Sequence, residues 1–542
     1  MRKGGIDEGK QNEIYHTVGQ QQLPAKVKQS NRSKFKNIIG GYKMGKYLLG
    51  LDNGGTMIKA ALYDLKGNEV AISSSKTAMY QPQPGFTERD VEEMWQANVK
   101  AIKGVIAKAG INGSEIIGLS ATGHGNGLYL VRADGSQTTN GMISTDVRGR
   151  EYVIKWQKDG THDKILPKTM QSVFAGQPTT LLRWFMDHKP EVLEETRWIF
   201  ICKDYIRFRL TGEAYGEIAD MSGSSLMNVR DVKYDRDLLK DMGLESIYDK
   251  LPPLRYSGEV CGAITKEVAE LTGLSEGTPV AGGCMDIHAS AMAVGITDED
   301  KMCVVAGTWS INEYISKKPV VDKDLFMTSI YPIPGYWMIL EGSPTSASNL
   351  EWFLTEILRD IDLKEQDVYE YSNHCVNCVA DEDCGVVFLP FLYASNVNIN
   401  AKACFVGLSS YHNRDNMLRA VYEGIVFSHK YHIEKLLKYR SAPKSIRIAG
   451  GVAKSRVWVQ MFADILKVPI EVTECTELGA LGAAICAGVA TGAYESFKAA
   501  SDVMVEIAFT AVPDPTKQAL YEKKYNRYLK VINALDGIWD EY

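Results

Sequence analysis

The sequence lacks the features of several protein classes. Its 542 residues include no apolar run long enough to span a membrane, and no apolar stretch follows the N-terminal charges as in a signal peptide. Lys and Arg number 61 against 67 Asp and Glu, a formal net charge of −6, so there is no basic excess for nucleic acid or for a membrane surface. We therefore expect a cytoplasmic protein whose partners are small molecules.

Two further absences narrow the choice of fold. The 10 cysteines are scattered, and several lie in apolar runs, as Cys303 and Cys486 do, which favours reduced buried thiols over a disulfide scaffold. No Gly-x-Gly-x-x-Gly follows a predicted strand with an acidic residue about 20 positions later, which disfavours a Rossmann dehydrogenase.

The length of the chain predicts two domains with a cleft between them, because it exceeds what one hydrophobic core normally supports.

Residues 1–43 differ in composition from the rest of the chain. They carry 9 Lys or Arg against 3 Asp or Glu and no periodic apolar stripe, which predicts a disordered and dispensable extension. Whether this extension belongs to the native protein is open, since Met44 directly precedes the first predicted strand.

Four apolar runs end in glycine turns, and two of them carry a carboxylate at the turn. A single turn of this kind is more often structural, but a buried strand that breaks into glycine lets backbone N–H groups approach phosphate closely. Asp52 is then placed to hold a metal, and Lys59 supplies positive charge for phosphates. The set predicts a nucleotide site and comprises Asp52 with Gly54-Gly55-Thr56, Asp286 after the run from Pro279, Gly307-Thr308, and Gly450-Gly451.

The order of predicted elements indicates an α/β fold with internal duplication. From Tyr47 the pattern predicts a strand, hairpin strands near 60–64 and 70–73, an amphipathic helix and a strand over 116–121. The buried face of that helix is marked by Val91, Met94, Trp95, Val99, Ile102 and Ile106. A second cycle is predicted with a strand at Cys303, runs over 313–316 and 336–340, and a helix from about Ser348.

Three more helices are predicted over 416–439, 456–466 and 478–489. Small residues dominate the last of these, among them Gly479 and Gly482. Such a helix can pack closely on something flat, either a neighbouring strand or an adenine ring, and both interpretations stay open.

These residues resemble the FGGY carbohydrate kinases, whose two-domain actin/hexokinase-like (ribonuclease H-like) fold is shared by hexokinase, actin and the Hsp70 ATPases. The resemblance runs from Lys46 to the C-terminus, and the L-xylulose kinase branch is the most similar, on the variants Gly54-Gly55-Thr56, Gly307-Thr308-Trp309 and Gly342-Ser343-Pro344-Thr345. The family's C-terminal signature is matched by Ala403, Phe405, Gly407, Leu408, Asn416, Met417, Ala420 and Glu423. A second hallmark is matched by Pro82, Pro84, Gly85, Phe86, Glu88, Asp90 and Trp95.

The resemblance implies a sugar-binding domain over 44–295, a nucleotide-binding domain over 296–542, and an active site in the cleft between them. ATP and Mg²⁺ are the implied cofactors, with Asp52 and Asp286 at the metal. It places the first phosphate loop at Asp52 to Thr56, the second at Gly307-Thr308, and the adenosine site at Gly450, Gly451, Ser455 and Gly479. Asp286 would accept the proton of the attacking sugar hydroxyl, which suits a loose phosphoryl-transfer transition state.

Sugar recognition is implied at Gly123, His124, Asp146, Arg148 and Asp286. At His124, a neutral imidazole can both donate to and accept from sugar hydroxyls. The chain departs from the family pattern at three places, where Gly55 replaces threonine, Trp309 replaces serine and Ser144 replaces tryptophan. These changes affect single side-chain contacts to ATP and one wall of the sugar pocket.

The implied reaction is the ATP-dependent phosphorylation of a ketopentose, with L-xylulose to L-xylulose 5-phosphate favoured. Open alternatives are D-xylulose, D-ribulose, a polyol or autoinducer-2 as acceptor. An actin-like ATPase acting on a protein partner is the alternative of another class, because fold alone does not settle function. The oligomeric state, a homodimer included, is also open.

Overall fold

Two seven-stranded sheets form the framework of the chain. The computed structural model describes residues 46–361, 363, 366–398 and 400–541. The predicted extension over 1–43 lies outside these residues. In the part of the chain that is described, no helix is both long and apolar enough to cross a membrane.

The first sheet places the strand that ends in Asp52-Asn53 beside its centre. Strand Tyr47–Asn53 pairs antiparallel with the next strand along the chain and parallel with Ile116–Gly123. In spatial order the sheet contains Val260–Ala263, Pro279–Ala281, Ile116–Gly123, Tyr47–Asn53, Met57–Asp64 and Glu69–Lys76, with Cys284–Met285 also paired to Ile116–Gly123.

The second sheet repeats this arrangement, because three consecutive antiparallel strands again lead into parallel ones. Its strand Lys301–Ala306 pairs antiparallel with Ser310–Ser316 and parallel with Ser445–Ala449. The order in space is Met327–Ile330, Trp337–Ser343, Ser310–Ser316, Lys301–Ala306, Ser445–Ala449, Ile470–Thr473 and Ile507–Ala511. The predicted duplication is therefore present in the order of the strands.

Short two-stranded pairings complete the β structure. Their strands are Glu88–Arg89, Tyr129–Val131, Gly141–Met142, Trp198–Phe200, Gly216–Glu217, Met227–Asn228, Lys233–Tyr234, Leu254–Arg255, Val387–Leu389 and Cys404–Val406.

Helices cover both sheets and include the amphipathic helix predicted after the third strand. That helix begins at Val91 because the Asp90 side chain accepts from the N–H groups of Glu92 and Glu93, and it ends at Ala109 because Gly110 is left-handed. The α-helices are Val91–Ala109, Arg150–Lys158, Thr161–Thr169, Pro178–His188, Pro190–Glu195, Cys202–Thr211, Ile218–Ser222, Arg236–Asp241, Lys266–Thr272, Asp286–Ala293, Ser348–Trp352, Val368–Cys378, Arg414–Leu436, Arg456–Leu466, Leu478–Ala490, Phe497–Met504 and Gln518–Leu535.

Single turns of other helix types join these elements. The helix predicted from Ser348 is only five residues long and continues as the π-helical turn Phe353–Ile357. The 3₁₀ turns are Glu245–Lys250, Gly451–Lys454, Pro515–Lys517 and Asp536–Glu541.

The small-residue helix Leu478–Ala490 packs on backbone. A Cβ at Gly50 would lie 1.9 Å from the Ala480 carbonyl oxygen, and one at Gly482 would lie 2.2 Å from that of Ala289. Of the two open interpretations, packing on a flat protein surface therefore holds along most of the helix, which lies on strand Tyr47–Asn53 and on helix Asp286–Ala293.

A buried carboxyl group lies in the second sheet. Glu313 has no exposed surface, and burial raises the pKa of its carboxyl to about 8; the Cys303 thiol, by hydrogen bonding, offsets part of this shift, and the Asp286 charge adds to it. The folded protein thus binds this proton more tightly than the unfolded chain does. The stabilisation is complete below the unfolded pKa and is lost as the pH rises through about 8.

We expect Glu313→Gln to remove this pH dependence, because the amide cannot ionise. Urea unfolding between pH 5 and pH 8.5 should show the free energy of unfolding of the parent falling more steeply than that of the variant, by at least about 1 kcal/mol. The exposed Glu276 supplies the control, and Glu276→Gln should follow the parent. Parallel curves for the parent and Glu313→Gln would contradict the assignment.

Candidate active site

Asp52 and Asp286 come together at one edge of the first sheet. The strands that carry them lie on either side of Ile116–Gly123, and both run parallel to it. Asn53 and Met285 are each aligned with Gly123, so the two carboxylates emerge at the carboxyl ends of two strands that flank the same central strand. Ligands of open α/β sheets bind at such strand ends.

Both carboxyl groups have raised proton affinity. Burial, and next the negative charge of Asp52, raise the pKa of Asp286 to about 7, while a hydrogen bond from the Ile287 N–H to Asp286 Oδ1 at 2.8 Å acts against the shift. Burial also raises the pKa of Asp52 to about 6; the charge of Lys59 lowers it and that of Glu477 raises it. A carboxylate whose ionisation is disfavoured by a second carboxylate nearby attracts a cation.

The first glycine turn is held by a buried arginine. Arg89 has no exposed surface, and its guanidinium donates to the Gly54 carbonyl at 3.0 Å, to the Gly55 carbonyl, and to Thr77 Oγ1 at 3.0 Å. The carbonyl groups of the turn are thereby held towards Arg89. Arg89 was not among the predicted site residues, although it lies within the family motif from Pro82 to Trp95.

Lys59 lies near this turn but is already paired. Its Nζ is 2.7 Å from Glu477 Oε2, in the segment that leads into helix Leu478–Ala490. The pair therefore joins the first sheet to the glycine-rich helix. A phosphate contact of Lys59 stays a prediction, and it would have to compete with Glu477.

Gly479 brings the helix directly against Asp52. A Cβ at Gly479 would lie 2.5 Å from Asp52 Oδ2, closer than real Cβ atoms come to a neighbouring atom. Two of the predicted nucleotide residues, far apart in sequence, thus share one small volume. Only glycine leaves the Asp52 carboxylate in its present place.

The turns at Gly307 and Gly450 also touch each other. Gly450 is left-handed, with φ 89°, and a Cβ there would lie 2.5 Å from the Ala306 carbonyl oxygen. Gly307 and Gly451 face open space, so their backbone is accessible to a ligand. The turns after neighbouring strands of the second sheet therefore form one glycine-lined edge.

The Ser455 hydroxyl makes two hydrogen bonds within the protein. Its Oγ accepts from the Trp458 N–H at 3.1 Å, which caps helix Arg456–Leu466, and donates to Asn373 Oδ1 at 2.6 Å. The hydroxyl is occupied by capping, so any nucleotide contact at Ser455 stays a prediction.

His124 follows strand Ile116–Gly123 and is buried. Its N–H donates to the Asn53 carbonyl at 3.2 Å, and its ring Nε2 lies 2.8 Å from Tyr129 Oη. Burial, together with the charge of Arg89, lowers the pKa of His124 to about 3, so the ring is neutral. His124 therefore directly follows the end of strand Ile116–Gly123, and its ring is directed to Tyr129.

Asp146 and Arg148 bind each other. Arg148 Nε donates to Asp146 Oδ1 at 2.9 Å, and its Nη2 donates to Glu88 Oε1 at 2.7 Å. The Thr87 N–H donates to Asp146 Oδ2 at 2.7 Å, and the guanidinium lies 4.2 Å from the centre of the Phe86 ring. The pair holds the segment around Phe86 in place, and a direct sugar contact of either residue stays a prediction.

A fully buried charged cluster lies behind Asp286. Lys203 Nζ is 2.7 Å from Asp204 Oδ1 and 3.4 Å from carboxylate oxygens of both Glu217 and Asp220. Burial raises the pKa of Asp220 to about 8, the charge of Lys203 opposes the shift, and neighbouring carboxylates including Asp286 add to it. Nothing in the sequence spacing distinguishes these residues from ordinary surface charges.

An aromatic row begins at the second glycine turn. Trp309, in the second glycine turn, is 37% exposed and lies 6.4 Å from Phe326, whose ring is 5.7 Å from that of Phe174. Phe174 lies in the half of the chain that forms the first sheet, and Phe326 lies in the half that forms the second. A hydrogen bond from the Ser172 N–H to the Phe326 carbonyl at 3.0 Å joins the two segments. The row therefore spans both halves.

The donors at this edge fit a magnesium ion. Among the described residues no group of three or more His, Cys, Asp or Glu side chains is arranged to hold a metal. Mg²⁺ commonly needs only one or two carboxylates, with phosphates and water completing its shell. Asp52 and Asp286 supply oxygen ligands of this kind.

The chain is similar to carbohydrate kinases over most of its length. Residues 47–293 match the N-terminal domain and residues 302–491 the C-terminal domain of the FGGY family of carbohydrate kinases. The chain is 37% identical to L-xylulose/3-keto-L-gulonate kinase of Escherichia coli K12 over 91% of this chain and 98% of that protein. It is 36% identical to a probable L-xylulose kinase of Pasteurella multocida over 91% and 99%.

A solved structure supports the same fold. The crystal structure of a ligand-bound xylulose kinase from Lactobacillus acidophilus superposes with a TM-score of 0.84 at 24% identity, covering 92% of this chain and 99% of that one.

We expect Gly479→Ala to impair nucleotide use without unfolding the protein. Alanine inside a helix normally stabilises it by about 0.5–1 kcal/mol, but here its methyl group must displace the Asp52 carboxylate. Steady-state kinetics should show kcat/KM for ATP falling by at least about tenfold. The melting temperature should stay within about 2 °C of the parent, because roughly 1 kcal/mol shifts a chain of this size only slightly.

Gly537→Ala is the control, because nothing lies within 4 Å of a Cβ at that position. It should leave kcat/KM for ATP unchanged. If kcat/KM for ATP is the same in Gly479→Ala as in the parent, Asp52 can move without effect on activity.

Proposed function

Because the chain belongs to the FGGY family of carbohydrate kinases, we propose that it transfers the γ-phosphoryl group of ATP to a hydroxyl of L-xylulose, giving L-xylulose 5-phosphate. The sugar oxygen forms a bond to the γ-phosphorus as the bond to the β–γ bridging oxygen breaks, and the hydroxyl proton leaves to a base. ADP is the second product. Residues 44–295 are proposed to bind the sugar and residues 296–542 the nucleotide.

The position of Asp286 is the observation that carries this proposal. Its carboxylate emerges at the strand end beside Asp52, and a pKa near 7 suits a group that takes a proton at neutral pH. We assign Asp286 the role of orienting the acceptor hydroxyl and accepting its proton. Phosphoryl transfer has a loose transition state, so this orientation matters more than strong basicity.

The glycine turns are proposed to bind the nucleotide. Gly54, Gly55 and Thr56 would face the phosphates as the first loop and Gly307-Thr308 as the second, while Gly450 and Gly451 would approach the adenosine with Gly479. The open space beside Gly307 and Gly451 supports backbone contacts there. Asp52 and Asp286 would hold Mg²⁺, which neutralises phosphate charge when bound.

The aromatic row is proposed to help exclude water. The row of Trp309, Phe326 and Phe174 begins at the second glycine turn and spans both halves. Closing this row over a bound sugar would limit transfer of the phosphoryl group to water.

A cytoplasmic location and the oligomeric state stay predictions.

The acceptor assignment rests on relatives named as L-xylulose kinases at 36–37% identity. One of them is also named for 3-keto-L-gulonate. Arg148, the arginine assigned to sugar recognition, is occupied by Asp146 and Glu88. Arg148 is therefore not free to bind a carboxylate, and we propose the uncharged ketopentose as the acceptor.

We expect Asp286→Asn to lower kcat by two orders of magnitude or more, because hydroxyl orientation and proton acceptance are lost. The affinity for ATP, measured by equilibrium titration with a fluorescent analogue, should change little. Asp298→Asn, at a half-buried carboxylate that pairs with Lys301, is the matched control and should retain full turnover. Turnover of Asp286→Asn within about tenfold of the parent would refute the role.

A panel of acceptors tests the substrate. ADP release should be measured with L-xylulose, its epimers, D-ribulose, pentitols, glycerol, erythritol, autoinducer-2 and 3-keto-L-gulonate. We expect the highest kcat/KM for L-xylulose or an epimer that differs at one carbon, since each lost hydroxyl contact costs about 1–3 kcal/mol. A preference of about tenfold or more for glycerol or erythritol over every ketopentose would show the substrate assignment to be wrong.

A further inference from the structure

The loop after strand Ile116–Gly123 contains a polar side chain that the protein does not use. Asn126 is only 9% exposed, and its Oδ1 is buried without a hydrogen-bond partner. A buried amide that lacks a partner costs free energy, and such a group in a native structure calls for a physical reason.

The backbone of Asn126 is unusual as well. Its φ is 61°, in the left-handed region that residues other than glycine seldom enter. Of the other left-handed non-glycine residues in the described chain, Met170 and Lys467 simply end helices, where this conformation is ordinary. Asn126 ends no helix; it lies in the loop that leaves the central strand of the first sheet.

The surroundings hold this loop in place. The His124 N–H donates to the Asn53 carbonyl at 3.2 Å and the Gly127 N–H donates to the Gly176 carbonyl at 3.0 Å. A Cβ at Gly125 would lie 1.9 Å from Met285 Sδ, so the loop presses against the residue that precedes Asp286. Strain that is fixed from both sides in this way is typical of functional sites.

The neighbouring histidine is already satisfied. His124 Nε2 lies 2.8 Å from Tyr129 Oη, and its Nδ1 lies 3.4 Å from the Gly125 carbonyl. Gly125 and Gly127 have no side chains. The loop therefore offers one uncommitted polar group beside the strand end that carries Asp286, and that group is the Asn126 amide.

We propose that Asn126 is the specificity-determining residue of this loop and that its amide binds hydroxyl groups of the acceptor sugar. This inference rests on the proposed sugar kinase function. An amide presents an acceptor and two donors, so it can pair with two adjacent hydroxyls and distinguish epimers at those carbons. The pairing of His124 with Tyr129 helps to fix the loop, and a sugar contact of His124 stays a prediction.

The variant Asn126→Gly separates this role from a purely conformational one. Glycine adopts positive φ without cost, so the loop keeps its shape and the backbone strain is relieved. If asparagine is present only because it tolerates this backbone, the variant should be as active as the parent. If the amide binds the sugar, activity should fall although the fold is intact.

We expect kcat/KM for the best acceptor to fall at least about tenfold in Asn126→Gly, and the ratio between epimers that differ at one hydroxyl to fall towards one. The KM for ATP should stay within about twofold and the melting temperature should not fall, since only a sugar contact is removed. Lys467→Gly is the matched control, because it relieves the same backbone conformation, φ 58°, at a helix end. It should leave both acceptor selectivity and turnover unchanged.

Two results would overturn the inference: unchanged epimer ratios in Asn126→Gly, or an equal loss on every acceptor, which would indicate general damage to the site. The measurement is made on whichever acceptor the parent phosphorylates best. If that acceptor is not a ketopentose, the proposed function fails, while the role of Asn126 is still decided by the change in selectivity on the acceptors that are used.

Discussion

The geometry of the site depends on one close contact between backbones. Helix Leu478–Ala490 lies on strand Tyr47–Asn53 with no side chain between them at Gly50, where a Cβ would meet the Ala480 carbonyl at 1.9 Å. One residue earlier in the helix, Gly479 leaves just enough room for the Asp52 carboxylate. Because backbone atoms cannot change rotamer, this contact fixes the Asp52 carboxylate relative to the glycine turns more rigidly than side-chain packing would.

Much of this arrangement follows from local sequence. Glycine after an apolar run predicted the turns at Asp52, Gly307 and Gly450, because strand ends and left-handed turns have strong residue preferences. The family resemblance is confirmed by matches over residues 47–293 and 302–491. The amphipathic helix predicted from its periodic apolar face is present as Val91–Ala109, for the same local reason. Of its predicted buried face, Val91, Met94, Trp95, Val99 and Ile102 are buried.

The choice of long-range polar partners could not be predicted. Lys59 pairs with Glu477, 418 positions away, and Arg89 binds the carbonyls of Gly54 and Gly55. A motif specifies which residue types are present, but a charged side chain near several acceptors chooses its partner from the assembled geometry. The same limit applies to Asp146 and Arg148, whose mutual pairing is invisible in the spacing of two residues.

The burial of Asp286 carries an electrostatic cost that the neighbouring charged cluster limits. Lys203 and Arg207 are balanced by Asp204 and Glu217, all of them buried. Burial raises the pKa of Asp220 to about 8, so Asp220 keeps its proton at neutral pH and adds no further negative charge beside Asp286. A charged Asp220 would disfavour ionisation of Asp286 still more, since like charges in a low-dielectric site raise each other's proton affinity. The neutral balance of this cluster therefore helps to keep the pKa of Asp286 near 7, where its carboxylate can still accept a proton.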